Sequence, residues 1–146
     1  MFERRKARHQ ALHILYQREI TGESAGSIIG GRSYNAEEDG EPLEFARELV
    51  NGVEAHQGSI DALIEGISEN WALSRMPLVD RNILRLAVYE RLYAESIPPS
   101  VSINEAVEMA KVYGGEDSSK FVNGVLGRVA EQMLEAGAEA TEESDT

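Results

Sequence analysis

Four cations stand together near the amino end: Arg4, Arg5, Lys6 and Arg8. Such a cluster is chemistry for a polyanion, because an arginine fork matches two phosphate oxygens and a lysine adds a mobile point charge. On a helix turning about 100° per residue, Arg4, Arg8 and Arg5 fall near about 0°, 40° and 100°. Leu15, Leu12 and Tyr16 fall near about 20°, 80° and 120°, so one angular sector is cationic for two turns and apolar afterwards. Burying those cations unpaired would cost on the order of several kcal/mol each. The first two turns are therefore expected to overhang the molecule or to order only on an anion. Cations at a helix N-terminus also oppose the macrodipole, so local helix stability does not account for them. An arginine-rich arm that meets RNA is the functional reading, against a plain solvated helix start.

A second candidate lies at Asp117, Ser118, Ser119, Lys120 and Phe121. Any of the first three suits a helix N-cap. A helix N-terminus also presents free N–H groups to phosphate, and a partly exposed Phe can stack on an unpaired base. Asp80, Arg81, Arg85 and Glu90 form a third group, either paired within the chain or offered as a charged stripe to a protein partner. Other constellations are weak. His9 and His13 have metal-ligand spacing, but no third ligand is evident, and the Glu of a zinc-protease motif is missing between them. The glycines between Gly22 and Gly31 lack the Lys-Ser or Lys-Thr of a phosphate-binding loop. No carboxylate pairs with a nearby Ser or His as a catalytic set. Neither a catalytic centre, a metal site nor a cofactor is expected.

These residues must be positioned by helices, since the apolar residues recur with a helical period and no strand-like alternation is found. The first helix spans about Glu3 to Ile20, with Ala11, Leu12, Leu15 and Tyr16 inward. Residues 21–42 hold five of the thirteen glycines and read as a long loop with a short helical turn near Ile28 and Ile29. After Pro42 a helix carries Leu43, Ala46, Val50 and Val53. Gly58-Ser59 breaks it, and a third helix carries Ile60, Leu63, Ile64 and Ile67 to Trp71, a hinge between halves. Pro77 opens a helix to about Glu95 whose apolar positions wrap most of its circumference, which makes it central. Ser102 and Glu105 read as a capping box for the next helix, which Gly114-Gly115 ends in a left-handed turn. A last helix follows with Phe121, Val122, Val125, Val129 and Met133 inward. The expected fold is all-α, two packed three-helix groups (about residues 3–72 and 73–136) with one extra short helix. Residues 137–146 read as a disordered acidic tail.

The chain has 146 residues, no cysteine and a net charge of −12. That excludes a disulfide scaffold and argues against unspecific binding to nucleic acid or anionic lipid. With neither a leader-like start nor a membrane-length apolar stretch, a cytoplasmic protein is expected.

Three ordered segments carry a resemblance. They are Asp80-Arg81-Asn82-Ile83-Leu84-Arg85-Leu86-Ala87-Val88-Tyr89-Glu90, Ile103-Asn104-Glu105-Ala106-Val107-Glu108-Met109-Ala110-Lys111, and Asp117-Ser118-Ser119-Lys120-Phe121-Val122-Asn123-Gly124-Val125-Leu126. With the arginine-rich start, this run from about Leu73 to Gly127 closely resembles the bacterial transcription antitermination factor NusB family. The resemblance implies no enzymatic activity and no small-molecule substrate. It implies binding to the boxA element of ribosomal RNA leader transcripts jointly with NusE, a small-subunit ribosomal protein, within an RNA polymerase antitermination complex. By position, Arg4, Arg5, Lys6 and Arg8 would hold phosphates, and Tyr16, Asp117, Ser119, Lys120 and Phe121 would complete the RNA surface. Asp80, Arg81, Arg85 and Glu90 would face the protein partner. The alternative is a helical protein adaptor without direct RNA binding. The acidic balance implies weak RNA binding by this chain alone, with a cationic partner supplying the rest.

Overall fold

Among the described residues the computed structural model is a bundle of six α-helices with no strand. The structure describes the backbone of residues 2–31, 40–68, 72–94 and 97–144, and side chains as far as residue 133. The helices are α1 (Phe2–Thr21), α2 (Ala25–Gly30), α3 (Glu44–Ile67), α4 (Leu78–Tyr93), α5 (Pro99–Tyr113) and α6 (Ser118–Ser144), with a 3-10 turn at Leu73–Arg75. The short helix expected near Ile28 is α2, whose N-cap Ser24 accepts a hydrogen bond from the Ser27 N–H at 3.1 Å.

Helix α4 is the centre of the bundle. Asn82 through Glu90 are all buried, and α1, α3, α5 and α6 all pack against it. Ile83, Leu84 and Leu86 are fully enclosed, each contributing about 2 kcal/mol by leaving water. Ala11, Ile14, Leu15, Leu49, Ile64, Met109, Val122 and Val129 join them in one continuous core. Tyr89 packs against α3 at Gly52, where a Cβ would collide with its ring.

Several local expectations give way to packing. The break expected at Gly58-Ser59 is a kink at His56 (φ −114°, ψ 16°) inside one helix, α3. A glycine in a helix interior costs only about 1 kcal/mol against alanine, and the buried residues on both sides, Val53 and Ile60, outweigh it. Tyr16, expected inward, is 38% exposed, because Leu12, Ile14 and Leu15 occupy the core side of α1. The capping box is unused. Helix α5 starts at Pro99, a residue whose fixed φ suits the first turn, and Ser102 is buried inside the helix. Gly114 is extended (φ −90°, ψ 180°) rather than left-handed, and a Cβ there would collide with Ser118 and with the carbonyl of Ala110. The helical backbone of α6 runs to Ser144, through most of the stretch expected to be disordered. Its Ala-Glu composition has strong intrinsic helix propensity. Trp71, the expected hinge, lies outside the described residues. No described helix is long and apolar enough to cross a membrane.

Candidate nucleic-acid interface

Helix α1 lies antiparallel to α4 and parallel to α5, so its cationic start meets the end of α4 and the beginning of α5. Arg8 reaches Glu90 of α4 as a two-pronged pair, Nη2–Oε1 at 2.7 Å and Nε–Oε2 at 2.9 Å. Both residues are buried, and the Ser102 hydroxyl of α5 donates to Glu90 Oε1 at 3.2 Å. Arg8 was expected to hold phosphate. Its burial corrects that expectation: its fork is already filled, and opening it would strand two buried charges.

Arg5, one helical turn back, donates to Glu105 through Nε at 3.1 Å and Nη2 at 2.9 Å. Its side chain is 59% exposed, while that of Glu105 is 15% exposed. The Glu105 carboxyl is held below the usual carboxylate range, first by the hydrogen bonds from Arg5; burial works against this, and the charges of Arg5, Arg8 and His9 add to it. Arg4 is exposed with its guanidinium 5.2 Å from the centre of the Phe45 ring, a cation–π contact. Lys6 is exposed beside Gly40. Among the described residues, neither Arg4 nor Lys6 meets a carboxylate. The arm therefore neither overhangs the bundle nor awaits an anion to order. It is fastened by two carboxylates, and three of its four cations still face water.

Farther along the seam between α1 and α5, His9 and His13 both stand edge-on to Tyr113, with centroids 5.3 Å away in each case. His9 Nδ1 lies 2.8 Å from the Tyr113 hydroxyl. Burial, then the neighbouring His13, pushes the His9 imidazole below its ordinary pKa. The exposed Tyr16 follows on α1. Past Tyr113 the chain turns through Gly114 and Gly115 into Asp117, Ser119, Lys120 and Phe121. Asp117 and Lys120 are exposed, Ser119 is intermediate, and Phe121 packs partly against the core. Ser118 is buried; its hydroxyl donates to Asp80 Oδ1 at 2.8 Å and accepts from the Gly115 N–H at 2.9 Å. A cleft of about 390 Å³ opens here, lined by Met76, Pro77, Asp80, Gly115, Asp117 and Phe121. Of the expected RNA residues, Arg4, Arg5 and Lys6 are exposed on the arm, Tyr16 is exposed farther along α1, and Asp117, Ser119, Lys120 and Phe121 lie at the start of α6.

The four residues assigned to a protein partner are turned inward instead. Asp80 accepts a hydrogen bond from Ser118, and Glu90 binds Arg8. Arg81 pairs with Glu19 of α1 and donates to the carbonyl of Leu73 at 3.2 Å. Arg85 is shared between Glu19 and Asp61, with Nε–Oδ1 at 2.8 Å. Burial alone would raise the Glu19 carboxyl pKa, but hydrogen bonds and charge from Arg81 and Arg85 bring it below the usual range. A buried charge needs such partners, and helices far away in sequence supply them. Glu105, Glu19, Asp61 and Phe45 were missed as members of these clusters; only Glu105 carried a local signal, and it pointed to a cap.

The model of the NusB family matches residues 5–131. The transcription antitermination protein NusB of Pelotomaculum thermopropionicum is 47% identical over 132 residues, covering 90% of this chain and 92% of that protein. Among solved structures, T. maritima NusB is 40% identical with a TM-score of 0.76, covering 88% of this chain and 90% of that one. A structure of the antitermination factors NusB and NusE in complex with double-stranded RNA is 32% identical, with a TM-score of 0.77, covering 90% and 98%.

Proposed function

The chain belongs to the NusB family of transcription antitermination proteins, and from that premise we propose that it binds boxA RNA of ribosomal leader transcripts together with NusE. It is an antitermination factor and not an enzyme. In this reading it works in the cytoplasm, joins an RNA polymerase complex through the RNA and NusE, and supports processive transcription of ribosomal RNA. The observation that carries the reading is the set of water-facing cations, Arg4, Arg5 and Lys6, on a helix fixed in the bundle of an otherwise acidic molecule. In this reading Tyr16, Lys120, Ser119, Asp117 and Phe121 complete the RNA surface. Lys120 adds a fourth cation, Phe121 a ring for an unpaired base, and Asp117 an acceptor for a base amino group.

With Arg8 committed to Glu90, the arm offers three phosphate contacts. At about 0.7 counterions per single-strand contact, it contributes a log–log salt slope of only about −2. Such a small contribution in a chain of net charge −12 favours composite binding, in which a cationic partner extends the surface. The test is a titration of labelled ribosomal leader RNA with and without NusE. Tight, salt-sensitive binding that requires both proteins supports the reading. Salt-insensitive binding, or recovery of NusE with no RNA contact, would favour the adaptor alternative. That alternative has lost the exposed charged stripe on α4 that suggested it, because those side chains are engaged within the chain.

A further inference from the structure

We propose that Glu105 is a positioning residue for RNA capture: it grips the guanidinium of Arg5 by one edge and leaves the other edge presented to a phosphate. The inference rests on the RNA-binding reading above and extends it to a carboxylate that would otherwise count as a competitor.

The geometry decides between those two roles. A guanidinium carries five N–H donors in a planar fork. Glu105 uses the Nε side, with contacts from Nε at 3.1 Å and 3.3 Å and from Nη2 at 2.9 Å. Both N–H groups of Nη1 and the second of Nη2 remain, and one from each nitrogen forms the end-on edge that accepts an oxyanion in bidentate fashion. A phosphate can therefore bind without displacing the carboxylate. Exposure agrees, since Glu105 is recessed (15%) and Arg5 stands outside it (59%). The next acid along α5, Glu108, is paired with Lys111 at 3.2 Å, so it does not extend the negative surface unopposed. An exposed arginine loses many rotamers when it grips a phosphate, and a side chain already fixed in the bound orientation loses fewer. Arg4 is restrained in the same sense by the Phe45 ring beneath it, whereas Lys6 has no such support among the described residues.

A double-mutant cycle tests the assignment, using leader RNA with NusE and the full chain in four forms: wild type, Arg5→Ala, Glu105→Ala and the double variant. Positioning predicts that Glu105→Ala weakens binding about 3- to 10-fold in the wild-type background, although it removes a negative charge. In the Arg5→Ala background the same change has no effect or slightly tightens binding. Glu105→Gln, which keeps one acceptor oxygen, should recover part of the affinity, with helical circular dichroism unchanged in all forms. Tighter binding of Glu105→Ala in the wild-type background would overturn the proposal and make Glu105 a competitor. Equal effects in both backgrounds would also overturn it and leave only general electrostatics. If Arg5→Ala itself leaves affinity unchanged, the role of Arg5 in RNA binding fails first; if Arg5→Ala weakens binding while the cycle shows no coupling, only the proposal fails.

Discussion

The two ends of α1 are fastened to the same central helix by charges of opposite arrangement. At the start, α1 brings the cations, and α4 and α5 bring Glu90 and Glu105. At the other end α1 brings the acid, Glu19, and α4 brings Arg81 and Arg85, with Asp61 of α3 beside them. Both ends place their charges against the α1 macrodipole, so tertiary partners and not the helix itself must hold them. The difference lies in what is left over. The Glu19 cluster closes on itself, with arginine side chains no more than 19% exposed. The arm buries one arginine, half-engages a second and leaves Arg4 and Lys6 facing water. A closed network fixes structure; an incompletely paired one leaves charge for a ligand.

The sharpest way to break this contrast is Glu90→Ala, which strands Arg8 in the core. It should cost about 3–5 kcal/mol in urea denaturation. Replacing Arg8 and Glu90 together by apolar residues should cost less, and equal losses would show that the pair is not a unit. Arg85→Ala, at the other end, should cost about 2 kcal/mol, discounted because Glu19 and Asp61 retain some contact with water.

Acid should loosen both ends. Glu19 and Glu105 have pKa values depressed in the folded chain, so each contributes stability that is complete above the unfolded carboxylate pKa. That contribution is lost as pH falls from about 4.3 through the lower folded values. Thermal unfolding followed across that window should show a fall that Glu19→Gln makes shallower; an identical profile would remove Glu19 from the account. The smallest effect on stability belongs to Arg4→Ala and Lys6→Ala, each within about 0.5 kcal/mol of wild type. Each should nevertheless flatten the salt dependence of RNA binding by about 0.7 in log–log slope.

The helices were legible because periodic apolar residues and prolines act locally: α4 was read as central from its own sequence, and α2 from two isoleucines in a glycine-rich stretch. Which charges are spent inside the molecule was not legible. Arg8 and Glu90 are 82 positions apart and Arg5 and Glu105 are 100 apart. Nothing in a helical wheel distinguishes Arg8 from Arg4. Ser102 and Glu105 show how a local rule can mislead: their spacing fits a cap, but Pro99 starts the helix a turn earlier, which frees both side chains to hold the carboxylate and guanidinium groups around the arm.

The most direct test compares wild type with the Arg4→Ala/Arg5→Ala/Lys6→Ala variant, measuring RNA affinity in the presence of NusE over a range of salt concentrations. A slope shallower by about 2, with far-UV circular dichroism unchanged and melting lowered only by the modest loss of the partly exposed Arg5–Glu105 pair, is the expected result. An unaltered slope, or a collapse of helicity, would mean that the water-facing cations do not meet RNA or that they are needed to build the fold.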